Sequence, residues 1–152
     1  GTSMTKAALL TAILLISPLS AQAACQSEQQ TLFSCMTAKG KRIQLCDQQQ
    51  TLEYSFGKPS LKPEIVVQVP RSAATTSQWQ GVGRWMSYSV EIPNGKTVYS
   101  VFWGVDRLSD EHGIEAGVHV EVNGKHAATV KCGENSKIIQ NMEGIDLKAT
   151  EM

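Results

Sequence analysis

Residues 84 to 104 constrain the chain more than any other stretch. Met86, Tyr88, Val90 and Ile92 alternate with Trp85, Ser87, Ser89 and Glu91; Asn94-Gly95 follows, and Thr97 to Trp103 resumes as an apolar-rich run. A period of two marks β-strands, and Asn-Gly is the strongest short hairpin signal because a type I′ turn needs two central residues with positive φ. A two-residue loop there pairs Pro93 with Lys96. It sets Val90 against Tyr99, Tyr88 against Val101 and Met86 against Trp103 on one face. The other face carries Ser87 by Phe102, Ser89 by Ser100 and Glu91 by Val98, a mixed set that reads as partly exposed.

The rest of the chain repeats this grammar. Residues 32 to 38 and 42 to 47 read as strands joined across Gly40-Lys41, a register that places Cys35 opposite Cys46. Thr51 to Phe56 and Glu64 to Val69 follow, separated by a stiff loop with Pro59 and Pro63 and stopped by Pro70. Residues 71 to 78 are small and polar and read as a surface loop. At Asn123-Gly124 a two-residue register would waste the apolar pattern. A three-residue loop with a glycine bulge pairs Val120 with Ala128, Val118 with Val130 and Ala116 with Cys132. The expectation is all-β: about eight antiparallel strands in a hairpin meander, forming a small closed barrel, with a two-sheet β-sandwich as the alternative. Residues 133 to 152 show no periodicity that places them.

The N-terminus reads as an address. Gly1-Thr2-Ser3 looks like a cloning scar before Met4. Residues 4 to 23 have the layout of a cleaved signal peptide: Lys6, an apolar run over Ala7 to Ile16, and Ala21-Gln22-Ala23 as the small-x-small cleavage site. The run is too short for a membrane span, which needs about 20 residues. Gln22 stands where a lipoprotein signal carries leucine, so the expected product is a soluble periplasmic or secreted protein. Residues 24 to 152 then form one β-domain. An oxidising compartment makes Cys25, Cys35, Cys46 and Cys132 two disulfides. Of the three connectivities, the predicted first-hairpin register points to Cys35–Cys46 with Cys25–Cys132, and Cys25–Cys35 with Cys46–Cys132 competes evenly with it. No Cys-x-x-Cys pair supports a redox or zinc site.

Charge and chemistry exclude several functions. The 14 basic and 14 acidic residues balance, and no basic block offers a footprint for nucleic acid or anionic lipid. His112 lies in the most charged loop, with Asp110 and Glu111. These ligand types suit a metal, but their spacing is no metal signature, and no metal or cofactor is assigned. Ser109 has no nucleophile elbow, and no catalytic constellation emerges. Trp79, Arg84 and Trp85 flank two glycines at a loop-to-strand junction, and Trp and Arg dominate interface hot spots. The plainer reading, favoured by the usual burial of tryptophan, has both indoles covering the end of a core.

These features point to an exported, non-enzymatic binding module with a protein partner in the cell envelope, such as a cell-wall hydrolase or a toxin. Trp79, Arg84, Trp85, Arg107, Asp110 and His112 are the candidate binding residues. Known periplasmic lysozyme inhibitors share this general architecture of a small disulfide-stabilised β-scaffold, a likeness carried by no shared motif. The alternatives are a small-ligand carrier with a barrel cavity and a metal-assisted hydrolase centred on His112. Nothing in the sequence specifies an oligomeric state.

Overall fold

The structure is a computed structural model, described here for residues 11–13, 25–27 and 30–151. The residues read as a cloning scar, and most of those read as an export signal with the expected cleavage site, lie outside the described residues. The strands are β1 (Thr31–Met36), β2 (Arg42–Asp47), β3 (Thr51–Gly57), β4 (Ile65–Pro70), β5 (Thr75–Gln78), β6 (Trp85–Asn94), β7 (Thr97–Asp106), β8 (Ile114–Val122), β9 (Lys125–Lys131), β10 (Ile139–Gln140) and β11 (Lys148–Ala149). They form two sheets, ordered β10-β1-β2-β3-β4 and β11-β5-β6-β7-β8-β9. The fold is therefore the two-sheet sandwich and not a closed barrel. No described helix is long and apolar enough to cross a membrane.

Alternation explains how the sheets face each other. On the first sheet Phe33, Leu45, Tyr54 and Val67 lie side by side across four strands, all buried. On the second, Val90, Val101, Val118 and Val130 lie side by side in the same way, the first three buried and Val130 partly so. Tyr54 and Tyr99 stack across the interface with centroids 4.7 Å apart. Each fully buried aliphatic chain, such as Leu45, contributes roughly 1.5–3 kcal/mol through removal from water.

Three turns depart from the sequence expectation, each for a local reason. The first hairpin closes through Thr37 and Lys41, whose N–H and carbonyl bond at 2.7 Å, so its loop is Ala38-Lys39-Gly40. Cys35 then faces Ile43 instead of Cys46. At the second hairpin the turn is Gly95-Lys96, with Asn94 paired to Thr97. Gly95 has φ 61° while Lys96 is not among the positive-φ residues, the pattern of a II′ turn with glycine first. The pairing is offset by two residues from the expected one, so every side chain keeps its face. The last hairpin uses the type I′ pair, Asn123 at φ 53° and Gly124 at φ 75°. The loop is therefore two residues long, without the expected three-residue glycine bulge; an irregularity within β9 around Ala127 instead restores the expected Val118–Val130 and Val120–Ala128 pairs.

The disulfides follow the third connectivity: Cys25–Cys46 and Cys35–Cys132. Cys46 points to the opposite face of β2 from buried Leu45, where it meets the N-terminal segment. Cys35 points inward to Cys132, which follows β9, so this bridge ties one sheet to the other. Residues 71 to 78 are also not a plain loop. After a short 3-10 turn at Arg71–Ala73, β5 joins the second sheet beside β6. Its inward residue is Thr76, whose hydroxyl donates to the Ser89 carbonyl at 2.7 Å.

The C-terminal segment spans the gap between the two sheet edges. β10 pairs with β1, β11 pairs in parallel with β5, and Met142 between them is fully buried. Gln78 receives this segment twice: its Nε2 donates to the Met142 carbonyl at 2.8 Å, and its Oε1 accepts from the Gly144 N–H at 2.8 Å.

Candidate functional site

The open end of the β6–β7 pair carries two loops, residues 79–84 and 107–113. The register places Trp85 opposite Asp106, which brings the loops together. Asp106 organises both. Its carboxylate accepts from Arg84 Nε at 3.0 and 3.1 Å and from Nη2 at 2.9 Å, a forked pairing, and it also accepts from the Leu108 N–H at 3.1 Å. This pairing with Arg84 is the main cause holding the Asp106 carboxyl below its ordinary value, and it raises the Arg84 guanidinium in turn. The Arg107 N–H donates to the Arg84 carbonyl at 2.7 Å.

Arg107 folds over the neighbouring loop. Its guanidinium carbon lies 4.7 Å from the Trp79 ring centroid. The Trp79 indole N–H donates to the Val82 carbonyl at 3.0 Å, and its ring packs against the core. His112 closes the second loop, with Nε2 at 3.3 Å from the Arg107 carbonyl and its N–H donating to Ser109 Oγ at 3.1 Å. Around this frame stand two strongly exposed apolar side chains, Val82 at 81% and Leu108 at 71%.

Four of the six candidate residues thus join one network: Trp79, Arg84, Arg107 and His112. Asp110 is exposed in the same loop and takes no part in these contacts. Trp85 turns away, onto the outer face of the second sheet. Asp106, Val82 and Leu108 were missed. Asp106 was legible only with the correct β6–β7 register; the two apolar residues sit in loops where no periodicity singles them out.

The outer face of the second sheet holds a separate open groove of about 220 Å³. Trp85 forms one wall. It lies over Gly104, where even a methyl group would collide with the indole. Phe102 stacks on His119, with centroids 4.0 Å apart and planes 9° from parallel, and Ser87, Ser89 and Ser100 line the floor. His119 Nδ1 lies 2.8 Å from Thr129 Oγ1, which also meets His126 Nε2 at 2.7 Å. Among the described residues no group of three or more His, Cys, Asp or Glu, at the His112 loop or elsewhere, is placed to hold a metal ion. Nor does a sandwich core with Tyr54 stacked on Tyr99 offer the interior of a closed barrel.

No protein-family model matches the chain, and no curated protein or solved structure matches it either.

Proposed function

We propose that the protein is an exported, non-enzymatic binding module that grips a protein partner in the cell envelope through the tip built by residues 79–84 and 106–112. A cell-wall hydrolase or a secreted toxin is the kind of partner such a tip would grip. One observation carries it: Arg84 and Arg107 are held in place by Asp106 and Trp79 while Val82 and Leu108 stand exposed beside them. Arginine and exposed apolar anchors are what interface centres use. Side chains already fixed in the free protein lose less entropy on binding, which favours affinity. The signal-like layout of residues 4 to 23 and the two disulfides support an oxidising, extracytoplasmic location.

The test is capture from an envelope extract on immobilised protein. Wild type is expected to retain a discrete partner. Arg107→Ala and Leu108→Asp are expected to weaken that capture at least about tenfold, a loss of about 1.4 kcal/mol of binding energy. Both residues are exposed, so melting should change little for Leu108→Asp and, for Arg107→Ala, by no more than the about 0.5–1 kcal/mol of its contact with Trp79. Equal capture by wild type and both variants would overturn the reading.

A further inference from the structure

We propose that the groove on the outer face of the second sheet is a saccharide site, distinct from the tip, that takes an uncharged pyranose unit of a glycan. An outer sheet face normally displays scattered polar side chains. This one instead sets two aromatic surfaces around a row of hydroxyls. Ser87 lies opposite Gly104, Ser89 opposite Phe102 and Ser100 opposite His119, so the register alone brings these side chains to one face. Covering Gly104 explains where the Trp85 indole rests, but Trp85 still keeps 41% of its surface in water.

The chemistry matches a sugar at each point. A pyranose presents an apolar C–H patch that packs on an aromatic face and a rim of hydroxyls that need hydrogen-bond partners. Trp85 and the Phe102–His119 stack supply the faces. Ser89 and Ser100 both donate to Glu91 Oε1, at 2.7 and 3.1 Å, so their remaining lone pairs are free to accept from ligand hydroxyls. Glu91 is itself fixed from the other side by the Thr150 hydroxyl at 2.6 Å. No lysine or arginine lines the groove, which disfavours a phosphate or carboxylate ligand. Its 220 Å³ is the scale of a single sugar ring. His119 is oriented by Thr129, so one wall is preset before any ligand arrives.

The test titrates the full protein with neutral trisaccharides of glucose, galactose and N-acetylglucosamine, followed by amide chemical shifts. At least one is expected to bind with Kd on the order of 1 mM, with shifts centred on Trp85, Ser89, Ser100 and Phe102. Trp85→Ala and the double variant Ser89→Ala/Ser100→Ala are expected to weaken binding at least about tenfold, whereas Trp85→Tyr retains it. Arg107→Ala should leave saccharide binding unchanged, and the serine variant should leave protein capture unchanged, so this site and the tip fail independently. No shift with any trisaccharide at 10-fold excess over about 1 mM, or shifts centred on Val82 and Leu108, would overturn the proposal.

Discussion

The guanidinium of Arg107 lies 4.7 Å from the ring centroid of Trp79, joining two loops that are far apart in sequence. The indole is anchored below by the core and sideways by the Val82 carbonyl. Arg107 is therefore positioned on a fixed surface instead of sweeping through solvent. An exposed pair of this kind contributes about 0.5–1 kcal/mol. A double-mutant cycle of Arg107→Ala and Trp79→Ala, read by urea unfolding, should return a coupling of that size. A coupling indistinguishable from zero would mean the contact does not order the tip.

The two disulfides should differ in weight. Cys35–Cys132 closes a separation of 97 residues and Cys25–Cys46 one of 21. On loop entropy alone the longer bridge stabilises by about 1 kcal/mol more. Cys35→Ser/Cys132→Ser should therefore lower the denaturation midpoint more than Cys25→Ser/Cys46→Ser. Equal losses would show that the sheets are held together chiefly by packing.

Met142 should behave as a core residue although it lies in a segment without periodicity. It is fully buried between β10 and β11. Met142→Ala should cost about 3 kcal/mol, whereas Lys137→Ala, exposed nearby, should stay within about 0.5 kcal/mol. Chemical denaturation distinguishes them; a small loss at Met142 would detach the C-terminal segment from the fold's stability.

His119 should titrate low. Burial is the larger cause, and the nearby His126 adds to it, while Glu121 opposes. The native ring then binds its proton less readily than the unfolded chain, whose value is about 6.5. Its contribution to stability is complete above that value and is lost as pH falls through the native one. Ring-proton NMR should place the His119 midpoint below 6.5, and melting should occur at lower temperature at pH 5 than at pH 7.5. His119→Gln should flatten that part of the pH dependence. A midpoint at or above the unfolded value would contradict the half-buried, stacked geometry.

Long alternating strands were legible because burial enforces the period of two: Val118 pairs with Val130 as their pattern requires. Turn choice was less legible, because one residue in a loop moves every partner. The three-residue loop Ala38-Lys39-Gly40 put Ile43 where Cys46 was expected, and the disulfide pairing moved with it. β5 escaped notice because its inward residue is a hydrogen-bonded threonine, not an aliphatic. Sandwich and barrel differ in how sheet edges meet, and here the edge contact is made by two-residue strands too short to show a pattern. At the tip, residue type alone singled out Trp79, Arg84 and Arg107. Asp106, which pairs with Arg84 and takes the Leu108 N–H, required the register to within two residues.

Site-specific photo-cross-linking tests the binding-module reading most directly. A photoreactive residue is placed at Leu108 on the tip, and in a second protein at Val66, which is 53% exposed on the other sheet. Both are irradiated in envelope extract. A binding tip predicts a discrete higher-mass adduct from the Leu108 protein that is absent with Val66. An adduct from Val66 alone, or identical patterns from both, would contradict it.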